Sequence, residues 1–549
     1  MKKQTFSLVF LVSLISLAAF ASSISLSAAQ SGLITFITQN TTWTKANSPY
    51  VFSGPIVVST GVTLTINSGV TVNLNGYYLY INGTLQAQGS GSDGILILGG
   101  DTTFGAGASD SSAFSFTEIN STISSARAIA FNNDIINKDI SCGNSSALSN
   151  NIITGQVTAG GSTTITNSII KGDVTLGDSC SISGSTINGD TKTATSATIM
   201  NNVLNGSKIV IAPFGGHSYT IAVTVSSFST ITNNQITGGL RATSSTISNN
   251  VISGGADFTD WAGRPEDSTS AVDVDGTSSI TSNAIWSSTG GYGILIRSGY
   301  TTVQGNNVQN SIRVAGNALI EGNMVTGSGT GIQVGDIHIS AFNDIDYGSG
   351  NSIIRNNIIA NNYVGIGSSY GGGTTTIQNN LIATNTYGIS LASQATAIQN
   401  NTIQNSQTAI QLQTYPTTIS YNNFLNYTQN SITLTSEPSN VNAANNWWGS
   451  TDIQAINLTI HDFKYDLNLG IVNIVPILNA QNEAAPSTSY TLNLPPIPPQ
   501  TPNPTPSPTP TPTGTPAIPE YTMPIVLLAA VIATMLSLIV IRRTQKRKN

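Results

Sequence analysis

Four carboxylates, an arginine and a tryptophan fall close together in Asp257-Phe258-Thr259-Asp260-Trp261-Ala262-Gly263-Arg264-Pro265-Glu266-Asp267, and Asp273 and Asp275 follow. Clustered carboxylate oxygens are the donors a hard cation such as calcium takes, and a tryptophan face stacks on a sugar ring. Asp257, Asp260, Trp261, Arg264, Glu266 and Asp267 are therefore the candidate ligand loop, and calcium is the one cofactor this chemistry invites. A sparser group is Asp336, His338, Asp344 and Asp346. Neither group is a catalytic constellation. Acid–base chemistry on glycosides uses two carboxylates at a set separation, and no Asp-Asp pair occurs. Copper wants His, Met and Cys together, whereas the 5 Met, 2 Cys and 3 His (His217, His338, His461) are scattered. There is no Cys-x-x-Cys for zinc. The sequence thus nominates no catalytic residue and no metal ligand set.

These residues must be positioned by a repeat. An Asn-Asn-x-aliphatic phrase begins at 132, 150, 201, 233, 249, 356, 379, 400, 422 and 445. The late copies step by 23, 21, 22 and 23 residues. Earlier steps are 18 and 16, with some near 33 that read as two short turns. Such a period leaves no room for a helix pair and suits one turn of a parallel β-helix, with three short strands and three bends. Apolar and small polar residues alternate within each turn, as in Gly388-Ile389-Ser390-Leu391. After the second Asn the first position is mixed, and the second is always apolar: Ile135, Ile153, Leu204, Ile236, Ile252, Ile359, Ile382, Ile403, Leu425 and Trp448. The second position should point inward and the first mostly outward, so Trp448 should be more buried than Trp447. Asn suits the bend because it tolerates the left-handed backbone region, and stacked Asn amides can hydrogen-bond along the axis. The expected fold is all-β, a single-stranded right-handed parallel β-helix, plus a C-terminal transmembrane helix. Some 20 turns at about 4.8 Å would make a rod on the order of 95 Å long.

Only 8% of residues are charged and the net charge is −6, with no basic stripe before the tail, which argues against nucleic-acid binding. Cys142 and Cys180 are 38 residues apart. That is about two turns, or roughly 9–10 Å along the axis, beyond the reach of a disulfide, so two free or buried thiols are expected. Residues 1–29 read as a signal peptide: Lys2-Lys3, an apolar run from Phe6 to Phe20, and small residues before a cut after Ala29. Residues 30–49 form an N-terminal cap, 50–449 the β-helix and 450–480 a C-terminal cap. In that cap Ser450-Thr451-Asp452 opens a helix with Ile453, Ile456 and Ile460 on one face, and a strand follows at Ile471 to Val475. Residues 481–519 are a Pro/Thr-rich stalk. A transmembrane helix spans 520–541, uncharged from Tyr521 to Ile541, and the basic tail 542–549 faces the cytoplasm. The expected location is the cell membrane, crossed once, with the ectodomain outside. Asn40, Asn82, Asn120, Asn144, Asn205, Asn426 and Asn457 are glycan acceptor sequons.

Gly61-Val62-Thr63-Leu64-Thr65-Ile66-Asn67-Ser68-Gly69-Val70-Thr71-Val72, after Trp43 and Ser48-Pro49-Tyr50-Val51, resembles the opening of right-handed parallel β-helix surface proteins. The Asn-Asn turns resemble the same pectate-lyase-like superfamily, which includes a periplasmic copper-protein-maturation family. Asn445-Asn446-Trp447-Trp448-Gly449 with Asp452, Ile456 and Pro476 is similar to the closing segment of archaeal secreted members, and Pro519-Glu520-Tyr521 resembles an archaeal anchoring signal. The resemblance covers about residues 31–480 and the tail. It implies fold and surface location more than activity, since the superfamily holds enzymes and non-enzymes. Gly215-Gly216-His217-Ser218 departs from the Gly-His-Gly of related polygalacturonases. The expected function is a non-catalytic surface rod with a structural, adhesive or glycan-binding role. Its partners would be the membrane and glycans or envelope components. The alternatives are a carbohydrate-active lyase or hydrolase and a metalloenzyme maturation factor.

Overall fold

A computed structural model describes residues 33–499, apart from 207–209, 212–217, 220, 255–269, 288–290, 328, 336, 340–344, 348–349, 370–372, 393–394, 414–417 and 437–438. Short runs of β-branched residues form strands that cannot bury a face alone, so each pairs in parallel with the equivalent strand one turn away. In one turn Ala147–Ser149 lies on the first face, Ile152–Ile153 on the second and Val157–Ala159 on the third. Thr164–Thr166, Ile169–Ile170 and Val174–Leu176 pair with them in register, 17 residues on. The first face is a ladder of 20 strands from Thr41–Trp43 to Val472–Asn473, counting those in the caps. The second and third faces join because Ile95–Phe104 and Thr117–Ser125 run round the corner unbroken. Pairing already begins at Thr35–Ile37 with Ile56–Val58.

The solenoid has about 17 turns, fewer than the sequence suggests. At about 4.8 Å per turn that is a shaft of roughly 80 Å. The long steps are the reason. Thr198–Met200 pairs directly with Thr230–Thr232, so the step between them is one turn carrying an excursion and not two short turns. That excursion includes the antiparallel pair Val210–Ile211 and Ser218–Tyr219. The steps from 249 to 282 and from 323 to 357 are likewise single turns, since Thr246–Ser248 pairs with Ser279–Thr281 and Met324–Thr326 with Ile358–Ala360. In the tightest turns the bends have no room for side chains. A Cβ on Gly172 would stand 2.3 Å from the carbonyl oxygen of Gly155, one turn below.

The Asn phrase sets the bend between the first and second faces. Its first residue takes the left-handed conformation, as in Asn150, Asn201, Asn233, Asn356, Asn379 and Asn400. The second points inward, as Asn202, Asn234, Asn250, Asn283, Asn306, Asn323, Asn357, Asn380, Asn401, Asn422 and Asn446 do in unbroken succession. Each donates its backbone N–H and its Nδ2–H to the Oδ1 of the next. For Asn380 onto Asn401 these bonds are 2.9 and 3.0 Å. Nδ2 also donates to two carbonyls, Ile354 and Gln378 in that case.

Eight of the ten second positions face the core as expected, among them Ile153, Ile252 and Trp448. Two do not. Ile135 is 44% exposed and Ile136 takes the core position, because Asn133 is the left-handed residue and Asp134 the inward rung. Leu425 yields to Phe424 for the same reason: Tyr421 is left-handed there and Asn422 is the rung. At both sites the amide pair lies one residue out of register with the bend.

Asp134 begins the inner ladder, and its carboxylate accepts from the N–H groups of Thr117 and Asn132. Burial pushes its pKa from the ordinary 3.8 up to about 7. An acid whose folded pKa is raised destabilises the fold once the pH passes its unfolded value. Stability should therefore fall from about pH 4 to about pH 7 and be level beyond, by on the order of 4 kcal/mol. One turn on, Asn151 donates Nδ2–H to Phe131 O. Phe114 is the in-register equivalent of Phe131, so an amide or a protonated acid at 134 has a matching acceptor. Asp134→Asn is expected to remove this slope, which urea titrations at pH 4 to 8 would measure. An unchanged slope would assign it elsewhere.

The ends are closed differently. Trp43 stacks on Tyr50 with ring centroids 4.8 Å apart. At the other end Trp448 stacks on Phe424 at 4.7 Å. Asp452 caps a short helix, Ile453–Leu458, by accepting from Gln454 N and Ala455 N. Ile456 and Ile460 are buried, but Ile453 is exposed because the helix is too short to bury a full stripe. Val472 and Ile474 add to the core, while Ile471 and Val475 face out.

The first part of segment 481–499 lies back along the second face. Asn482 pairs with Asn423, its N–H donating to Oδ1 at 2.8 Å and its carbonyl accepting from Nδ2 at 3.1 Å. Thr402 Oγ1 donates to Pro486 O, Tyr490 OH to Asn356 O, and Asn307 Nδ2 to Pro495 O. This strap explains why Thr402 and Leu381 are buried although they hold outward positions. The row they belong to is open elsewhere, as at Ile152.

Candidate functional site

The loop Asp257, Asp260, Trp261, Arg264, Glu266 and Asp267 lies outside the described residues, as do Asp336, Asp344, His217, the leader at 1–29 and the span at 520–541. The chain leaves the second face after Gly254 and re-enters at Ser270. His338 and Asp346 are brought opposite each other in an antiparallel pair, Ile337–Ile339 with Ile345–Tyr347. His461 lies on the last turn of the third face, stacked on Tyr465 at 5.3 Å. Cys142 and Cys180 are both buried free thiols, and burial pushes the Cys142 thiol up to about 11, so it is inert as a nucleophile at neutral pH. Among the described residues no helix is long and apolar enough to cross a membrane, and no group of three or more His, Cys, Asp or Glu is placed to hold a metal ion.

What the described structure does assemble is an ionic cluster on the third face, beside the point where the acidic stretch re-enters. Strand pairing sets Arg241 against Asp273 and Thr243 against Asp275, then Asp273 against Leu295 and Leu295 against Arg313. Lys192 occupies the same outward column two rungs earlier, through Thr224. From Lys192 to Arg313 the column runs about 24 Å.

Asp273 is the hinge of this cluster. Its side chain is 7% exposed and sits between two guanidinium groups. Arg241 donates from Nε at 3.1 Å and lies at 3.0 Å through Nη2. Arg297 donates from Nε at 2.7 Å and from Nη2 at 2.9 Å in a two-pronged pair. A buried carboxylate needs such pairing, because desolvation of a lone ion costs more than the fold can spare. Arg313 donates to Tyr292 OH at 2.8 Å, and its guanidinium carbon lies 5.3 Å from the ring centroid of Tyr292. Its Nε is buried without a hydrogen-bond partner among the described residues. Ser298 donates to Asp275. Arg241, Ala242, Thr243, Asp273, Asp275 and Arg297 line an open groove of about 310 Å³.

Among the described residues, this column and its neighbour carry Lys192, Arg241, Arg297 and Arg313 against the two carboxylates Asp273 and Asp275. Asp273 is held by ion pairs on both sides and positions the two arginines. The arrangement suits an anionic group laid across the arginines, with the exposed side of Tyr292–Arg313 as a flat platform. Asp273 and Asp275 were visible in the sequence beside the acidic loop. The arginines were not, since nothing local marks Arg241, Arg297 and Arg313 as neighbours.

Residues 239–403 and 347–468 match the family model of a right-handed beta helix region. The first of these stretches contains the whole arginine cluster. No curated protein matches the chain. Fold and match together define a right-handed parallel β-helix.

Proposed function

We propose that the chain is a membrane-anchored, outward-facing rod, non-catalytic, that binds acidic glycans along its third face. The reading is supported chiefly by Arg241, Arg297 and Arg313 around Asp273 and Tyr292, three guanidinium groups within four successive rungs of the third face. A linear acidic polysaccharide offers carboxylates or sulfates along its length, and the guanidinium N–H groups not already given to Asp273 or Tyr292 can donate to them. The polar remainder of the shaft serves as scaffold.

The test is titration of the purified full chain with neutral and acidic oligosaccharides, with release of unsaturated or reducing sugars followed in parallel. Acidic oligosaccharides are expected to bind and neutral ones not. Arg313→Ala should weaken binding about tenfold, the weight of one charge-assisted pair, and leave the unfolding midpoint within a few degrees. Equal binding of neutral and acidic sugars would refute the reading. Turnover that accompanies binding would favour the alternative of a carbohydrate-active enzyme.

A further inference from the structure

The strap on the second face shows how a segment outside the repeat is recognised. Its anchors are chiefly solenoid side chains reaching the strap's own main chain: Asn423 to both N–H and C=O of Asn482, Thr402 to Pro486 O and Asn307 to Pro495 O. Asn482 Nδ2 adds bonds to Asn400 Oδ1 and Tyr421 O, and Tyr490 OH adds one to Asn356 O. No strand ladder and no ion pair ties the strap down among the described residues. Two turns, closed by Ala485 N–H on Asn482 O and Tyr490 N–H on Ser487 O, shape the segment, and the prolines at 486 and 495 fix φ within it, which lowers the entropy lost on docking. These are the features of a peptide groove, with carbonyl recognition for affinity and two side chains, Asn482 and Tyr490, for register.

We propose that the row from Asn423 to Asn307 is a docking groove for a turned, proline-bearing peptide, and that its occupant in trans is the 482–495 segment of a second copy of this chain. The groove and its ligand are on the same polypeptide, so two copies can exchange straps reciprocally and close into a two-fold pair without any new contact. The exchange hinges just after Leu478, whose N–H is still bonded to Asn446 O on the last rung. The strap face is distinct from the third-face arginine column, so pairing leaves that column open.

The experiment uses the full chain and a fluorescent synthetic peptide of residues 479–499. Asn482→Ala removes the two side-chain bonds that hold the strap in cis while leaving the groove intact. The peptide is expected to bind the Asn482→Ala chain at least tenfold more tightly than the wild-type chain. Adding Asn423→Ala should lower that binding tenfold or more. Tyr490→Ala, at a surface position, serves as a second loosened variant, and faster proteolysis between Ser487 and Leu492 reports strap release independently of binding. Energy transfer between two separately labelled populations of full chain should appear on mixing and be blocked by excess peptide. Absence of saturable binding to both loosened variants, or binding indifferent to Asn423→Ala, would overturn the groove. Peptide binding with no energy transfer at any chain concentration would overturn the second copy as occupant.

Discussion

Asn380→Leu is expected to destabilise the central turns by about 3 kcal/mol. Asn380 is fully buried, and leucine keeps its branching at Cγ but is bulkier, so overpacking adds to the main effect. That main effect is a loss of partners. Nδ2 of Asn380 satisfies Ile354 O and Gln378 O and reaches Asn401 Oδ1. Its Oδ1 accepts from Asn357 N and Asn357 Nδ2. Leucine leaves the buried Asn357 N–H without its acceptor and takes one donor from Ile354 O and from Gln378 O, the latter keeping Asn356 N–H; the orphaned N–H alone costs about 1–3 kcal/mol. A solenoid transmits stability only between neighbours, so amide exchange should accelerate at Asn357 and Asn401 and remain unchanged in the turns near Asn151. Chemical denaturation with site-resolved hydrogen exchange checks both statements. A loss below about 1 kcal/mol would mean that water replaces the amide, and the ladder would then be incidental to stability.

Trp448→Ala should cost about 3–5 kcal/mol, and Trp447→Ala much less. Trp448 is 2% exposed, lies on Phe424 and ends the inward column that runs through Val72, Ile97, Ile119 and Ile136. Trp447 is half-buried on the outward side of the same strand edge. Alanine at 448 opens a void between the last regular turn and the cap built on Ile456 and Ile460. Thermal unfolding of the two variants under one set of conditions measures the difference. A large effect at 447 with a small one at 448 would place the closing turn in the other register.

How much of this was legible depended on whether the determining residues are local. The bend between the first and second faces was readable because one amide must be left-handed and the next must bond along the axis, and Asn satisfies both demands. The bend before the first face obeys the same logic with Ser145-Ser146, Ser162-Thr163 and Ser244-Ser245, the first of each pair left-handed. Serine is too common in this chain for that pattern to stand out. Register failed at Ile135 and Leu425 because an extra Asn stood beside the bend and only pairing across turns decides which one turns the corner. The arginine cluster was illegible for a related reason. Arg241 and Asp273 are 32 residues apart although they stand on adjacent rungs, so equal spacing along the axis is unequal spacing along the chain. The strap was hidden by composition: Pro- and Thr-rich sequence reads as free spacer, and its partners lie 59 to 188 residues away.

The strap also governs how the shaft meets a load. Tension applied at Pro495 and directed along the axis toward the first turns strains the anchors at Asn307, Asn356, Thr402 and Asn423 together, in shear. The same tension applied at right angles opens them one after another, beginning with Asn307. Each opening needs only the force that breaks a bond or two, and full detachment pays out on the order of 45 Å of chain before the last inner rung at Asn446 feels any pull. The second face is thereby a direction-sensitive shock absorber, stiff lengthwise and yielding sideways, and it re-forms when the tension ends because none of its anchors is covalent.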